Sequence, residues 1–154
     1  PCGNYGSADK VCTCTPAAIR RYRSRLSGPH LDRMDIQVEV DSVKYDDLAS
    51  DCLEEKSEVV KKRVERAREI QRERFSDTRT NADMGERELK AFCALSKECE
   101  VILRMSFESL KLSARARSRI IKVARTIADM EGAEQIRPEH ILEAVSYRRY
   151  DNMG

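Results

Sequence analysis

No long apolar run occurs in this sequence. The longest, Ala91–Leu95, is far too short to span a membrane. No charged leader followed by an apolar stretch marks a secretory signal, so an intracellular protein is expected. A charge of one sign is also missing: Lys+Arg 29 against Asp+Glu 27 leaves a net +2, which argues against a simple nucleic-acid sponge. Aromatics are scarce at 5% and tryptophan is absent. What is plentiful is charge, 36% of the chain, much of it Glu, Lys and Arg at helical spacings. At 154 residues this favours a mainly α protein of one domain, or one domain with a fragment of another. Composition names no function.

Residues 1 to 14 read as a loop. Thr15 then offers an N-cap with Pro16 at the first helical position, and a basic helix runs to about Leu26 before Gly28-Pro29 breaks it. Ile36, Val38 and Val40 alternate with Gln37 and Glu39, the period of a strand buried on one face. A lone strand cannot satisfy its own backbone, so this one implies sheet partners that the chain does not supply. An acidic connector follows, and the domain boundary is placed there. Ser57 is positioned to cap a long helix to about Arg74, with Val60, Val64, Ala67 and Phe75 on one face. Its Glu58–Lys62, Glu65–Arg68 and Glu69–Arg72 pairs mark the other faces as solvated. After a polar loop from Ser76 to Met84, Gly85 opens a short helix to about Ala94. Ser96 caps one to about Leu110, with Cys99, Ile102, Leu103 and Phe107 inward. Ser113 caps another that stops at Gly132, and Pro138 starts the last, through Tyr147. These amphipathic segments make a small helical bundle, and residues 57–148 are enough to enclose one core.

The six cysteines are unevenly spaced, unlike a disulfide framework. Cys52, Cys93 and Cys99 fall in segments read as helix, where a thiol behaves as a small buried hydrophobe. Cys2, Cys12 and Cys14 crowd a turn-rich start with Gly3, Gly6, Asp9 and Pro16, the setting in which metal knuckles gather thiolates. Structural zinc takes four ligands and only three are visible, so two readings stand: unpaired loop thiols, or an incomplete zinc site. His30 and His140 are isolated, and each reads as a turn or helix-surface histidine rather than a ligand.

Two arginines draw a functional reading. On the helix that begins after Ser113, Ala116, Ile120, Val123, Ala124 and Ile127 form a core stripe. Between Lys111 and Arg125 lie six basic residues and no acid, three of them (Arg115, Arg117, Arg119) near the helix N-terminus. The macrodipole favours acids there by about 0.3–1 kcal/mol per charge, so an anion would relieve the arrangement. Hydrated arginines, or arginines paired with the acidic segment 41–55, are the alternative. Arg33 precedes the expected strand, where α/β proteins build their sites. A local pair with Asp32 or Asp35 is the plainer reading of it.

The segments Cys12-Thr-Cys14-Thr-Pro16, Tyr22-Arg-Ser-Arg-Leu-Ser-Gly-Pro29, Leu31-Asp-Arg-Met-Asp-Ile-Gln-Val-Glu39, Leu112-Ser-Ala-Arg-Ala116 and Lys122-Val-Ala-Arg-Thr-Ile-Ala-Asp-Met-Glu-Gly132 together resemble the C-terminal part of the ComM/YifB-type, magnesium-chelatase-like AAA+ ATPases. The resemblance implies that 1–42 is the end of the α/β ATPase core, a helix and one strand. It further implies that 43–56 is an acidic connector, 57–148 the helical lid and 149–154 a tail. It implies a bacterial, cytoplasmic, hexameric ring ATPase using ATP and Mg²⁺, whose ComM branch is a DNA branch-migration helicase in natural transformation. Carried over, Arg33 would be the arginine finger acting on a neighbour's ATP, and Arg115 the sensor 2 arginine contacting the γ-phosphate from the lid.

The sequence departs from the family pattern in lacking Gly-x-x-x-x-Gly-Lys-Ser/Thr and the apolar strand ending in Asp-Glu that would hold Mg²⁺. The family places a cysteine directly before the residue matching Pro1, which would supply a fourth zinc ligand. The chain is therefore expected to be a piece of a longer protein, inactive alone. Two other functions compete: the ATPase subunit of a magnesium chelatase, and a free-standing helical DNA-binding module using the basic faces at 20–25 and 111–125. In the first of those faces Arg20, Arg21, Arg23 and Arg25 lie toward the helix C-terminus, where the dipole already favours them.

Overall fold

The computed structural model describes residues 1–7, 9–25, 30, 33–38, 40 and 55–148. They are mainly α. Six helices occur among them: α1 (Pro16–Arg23), α2 (Ser57–Phe75), α3 (Glu86–Phe92), α4 (Lys97–Ser109), α5 (Ala114–Glu131) and α6 (Pro138–Ser146), with a 3₁₀ turn at Asn81–Asp83. Local chemistry sets most boundaries. Thr15 Oγ1 accepts from the Ala18 N–H (3.2 Å) and Pro16 preorganises the first turn of α1. Ser96 caps α4 through the Cys99 N–H (3.2 Å), and Ser113 caps α5 through the Ala116 N–H (3.2 Å). Gly132 ends α5 with φ +71, and the Ala133 N–H closes back on the Ala128 carbonyl at 2.8 Å.

Helix α5 is the hub, packing against α2, α3, α6 and the 3₁₀ turn, while α4 leans on α6. Leu103, Leu112, Ala116, Ile120, Ile121, Ala124, Ile136 and Ile141 form the centre of the core, with Met84, Leu89, Cys93 and Cys99 beside them. Each large aliphatic side chain so buried contributes roughly 1.5–3 kcal/mol. Cys93 and Cys99 are inert core thiols. Cys99 donates to the Ile136 carbonyl, and burial pushes Cys93 up to about 11. Cys52 lies outside the described residues.

Four expectations are corrected. The strand at Ile36–Val40 does not form among the described residues: 36–38 and 40 carry no ladder, because no second strand runs beside them. Helix α2 begins after Lys56 with no side-chain cap, so Ser57 is its first residue and not its cap. Only the C-terminal half of α2 reaches the core. Ala67 is buried, whereas Val60 and Val64 stay exposed because the 19-residue helix runs past the other described elements. His140 is not a surface histidine. It is fully buried, its Nδ1 accepting from the Arg137 N–H (3.0 Å) and its Nε2 meeting Glu131 (3.0 Å) at the start of α6.

A buried polar network, unforeseen from the sequence, joins α2 to α5. Asp129, with no exposed surface, accepts from Arg74 Nη1 (2.7 Å) and Nη2, from Asn81 Nδ2 (2.7 Å) and from Arg125 Nε (3.0 Å). Arg125 spends its other two nitrogens on the carbonyls of Glu134 (2.9 Å) and Ala133 (2.6 Å). The hydrogen bonds that Arg74 donates to Asp129 outweigh desolvation and hold Arg74 above the ordinary guanidinium range.

Candidate functional site

The basic start of α5 resolves into paired and unpaired arginines. Arg117 reaches Glu100 of α4 (3.3 Å), Arg119 pairs with Asp35, and Arg125 is in the Asp129 network. Lys122 donates to the Ala82 carbonyl (2.8 Å). Arg115 is the one arginine of α5 whose side chain has no partner among the described residues. It is exposed, in a first turn with no acidic residue. The Ser113 hydroxyl satisfies the Ala116 N–H, so the N–H groups of Ala114 and Arg115 remain at the helix end beside a free guanidinium. That combination suits an oxyanion. Pairing with the acidic segment 41–55 is open to description only at Glu55, which binds Arg63 (2.7 Å) and not α5.

Arg33 lies in a turn, its N–H closing on the His30 carbonyl (3.1 Å), with its side chain exposed and unpartnered among the described residues. The local pair with Asp35 does not form, because Asp35 is occupied by Arg119, far along the chain on α5, and Asp32 lies outside the described residues. The segment 34–37 is held at two further points. Arg148, buried at the end of α6, donates through Nη1 to the Met34 carbonyl, and the Gln37 N–H donates to the Tyr147 carbonyl (2.9 Å). The pairing of Asp35 with Arg119 and the hold of Arg148 on Met34 were missed in the sequence because these residues meet only in the fold. The one available signal was a basic residue standing at a helix start.

The thiol groups of Cys2, Cys12 and Cys14 lie within 4.8 Å of one another, brought together by a turn in which Gly3 (φ +85) and Gly6 (φ +81) take left-handed conformations. Backbone N–H groups point at sulfur: Asn4 N–H to Cys2 Sγ at 3.4 Å and Cys2 N–H to Cys14 Sγ at 3.0 Å. The N–H donors of Asn4 and Thr13 lower Cys2 to about 6. The Cys14 N–H acts to lower Cys12, but desolvation and its two thiol neighbours outweigh it and Cys12 is raised. A thiolate poised near neutral pH beside two more thiols is a fitting donor set for a soft cation.

The family model described as magnesium chelatase, subunit ChlI C-terminal, matches residues 54–148, and the model described as magnesium chelatase, subunit ChlI, matches residues 1–48. The chain belongs to the magnesium chelatase ChlI family. Among curated relatives, this family member is 41% identical over 155 residues to the uncharacterized protein YifB of Salmonella typhimurium, an alignment covering 99% of this chain and 30% of that protein. It is 40% identical to YifB of Escherichia coli strain K12, with the same coverage. It is 39% identical over 150 residues to the competence protein ComM of Haemophilus influenzae, covering 96% of this chain and 28% of ComM. The chain thus spans about 30% of the length of the relatives it matches. No described helix is long and apolar enough to cross a membrane.

Proposed function

We propose that this chain is the finger-and-sensor portion of a ring-forming, ATP-driven motor of the ComM type that migrates DNA branches in the cytoplasm. The observation that carries the reading is the guanidinium of Arg115, without a partner among the described residues, at a helix start with no acidic residue in its first turn, when the other three arginines of α5 are paired. A γ-phosphate there would meet two helix N–H groups, the positive end of the dipole and a bidentate donor. Hydrolysis would withdraw that anion and loosen the lid, turning chemistry into rotation. Arg33, exposed on its turn, would supply the neighbouring subunit's site. The 154 residues hold no phosphate-binding loop, so turnover is expected of the intact ring and not of this chain alone. Mg²⁺ finds no ligand set among the described residues. Their one close group of His, Cys, Asp or Glu is the thiol cluster, whose sulfur suits zinc and not magnesium.

The test is ATP hydrolysis by the intact protein with and without branched DNA. Stimulation by four-way junctions over linear duplex is expected. Arg115→Ala should cut the stimulated rate by about 10²-fold, the scale of losing one preorganised donor to a developing charge. Stimulation that requires a porphyrin-carrying partner and ignores DNA would move the assignment to a chelatase ATPase subunit. Tight, steeply salt-dependent DNA binding by the 154-residue chain itself would favour the free-standing module.

The thiol cluster is proposed as a zinc knuckle, with Cys2, Cys12 and Cys14 as ligands and the fourth position filled from outside this cluster. Titrating the chain with Co²⁺ should produce thiolate-to-metal charge-transfer absorption saturating at about one ion per chain, displaced by Zn²⁺. Cys12→Ser or Cys14→Ser should abolish it. Absorption unchanged in both variants would show that the thiols bind nothing together.

A further inference from the structure

We infer that Arg119 is a positioning residue for the arginine finger: through Asp35 it fastens the segment carrying Arg33 to the helix that carries Arg115. Arg119 sits one helical turn beyond Arg115 on α5, and Asp35 sits two residues beyond Arg33. Their ion pair links sites far apart in the sequence, with Arg119 partly covered and Asp35 exposed. It does not act alone. The Met34 carbonyl is gripped by buried Arg148 and the Gln37 N–H by the Tyr147 carbonyl, so the backbone on both sides of Asp35 is anchored to the end of α6. The two backbone anchors fix where the segment runs. The Arg119 side chain fixes which way its Arg33 end faces relative to α5. Arg33 itself is unrestrained among the described residues, as a group that must reach another subunit has to be.

This inference rests on the motor reading, in which Arg115 answers to the subunit's own nucleotide and Arg33 to its neighbour's. A rigid link between them has one consequence that a merely stabilising ion pair lacks. A movement of α5 on loss of the γ-phosphate at one site is delivered to the finger at the next, so successive sites are coupled.

The experiment is steady-state ATPase of the intact protein, read as kcat, KM for ATP and Hill coefficient, for Arg119→Ala, Asp35→Ala and the reversed pair Arg119→Asp with Asp35→Arg. Each single variant is expected to lower kcat about tenfold and to bring the Hill coefficient toward one, with KM moving less than about twofold. The reversed pair should recover at least about half of the lost kcat, because the link is restored with opposite polarity. Arg117→Ala, which removes a pair from the same helix to α4, should leave all three parameters unchanged. Wild-type kcat and cooperativity in both single variants overturns the inference, as does a reversed pair no better than the product of the singles. Arg33→Ala, run alongside, separates the layers: full activity in that variant sinks the motor reading itself. Lost activity there with intact Arg119→Ala sinks only the positioning role.

Discussion

Replacing Asp129 with alanine should destabilise the helical bundle by about 3–5 kcal/mol, the cost of removing one partner from a buried ion pair. Three donors converge on this carboxylate, which has no exposed surface. The two arginines do not contribute equally. Arg74 keeps 12% of its side chain accessible and can turn toward water once its partner is gone. Arg125 keeps 3%, and its remaining bonds to the carbonyls of Ala133 and Glu134 pin it in place with a buried, uncompensated charge. Arg125 therefore sets most of the penalty. Asn81 compounds it, since its amide would lose Asp129 and retain only Thr126 (3.0 Å) as an acceptor. Urea unfolding of the chain followed by helical circular dichroism measures the change. Asp77→Ala, which removes an exposed pair with the Arg79 side chain (2.8 Å) and a bond from the Arg79 N–H (2.7 Å), is the comparison and should cost far less, because solvent screens both groups. Equal losses in the two variants would mean that the network contributes no more than surface charge does.

Helix positions were legible in the sequence where a local device fixes them. Thr15, Ser96 and Ser113 accept the N–H groups that N-caps should accept, Gly132 takes the left-handed conformation, and Pro138 opens α6. What failed was anything decided by tertiary contact. Val60 and Val64 have the spacing of a core stripe, yet no element among the described residues covers that end of α2. Ile36 to Val38 alternate like a strand, but a strand is a property of two segments and only one is present among the described residues. Asp129 and Arg125 read as ordinary members of a charged helix because hydrophobic patterning cannot register a carboxylate that three donors neutralise. The candidate site divides in the same way. The mismatch of Arg115 with the helix dipole is visible from its position alone, whereas Asp35 as the partner of Arg119 could be known only from the fold.

Arg33→Ala in the intact ring should lower kcat for ATP hydrolysis by roughly 10³-fold or more while KM for ATP stays nearly constant. A finger donates to charge that appears on the transferring phosphoryl group and adds little to binding of the ground state. The guanidinium is suited to this in being planar, permanently charged and, on this turn, free of any internal partner among the described residues. Arg33→Lys should rescue little, since a point charge cannot reproduce the forked geometry. The decisive feature of the proposed finger is that it would act on another subunit. Mixing Arg33→Ala subunits in equal amounts with subunits whose phosphate-binding loop is inactivated leaves about one interface in four with both an intact nucleotide site and an intact finger. That fraction does not depend on the number of subunits in the ring, because each interface draws independently on two neighbours. Activity of the mixture should therefore rise from near zero to about a quarter of wild type, or less if all sites must fire together. A finger acting within its own subunit predicts no recovery at any mixing ratio, since every subunit then carries one of the two defects.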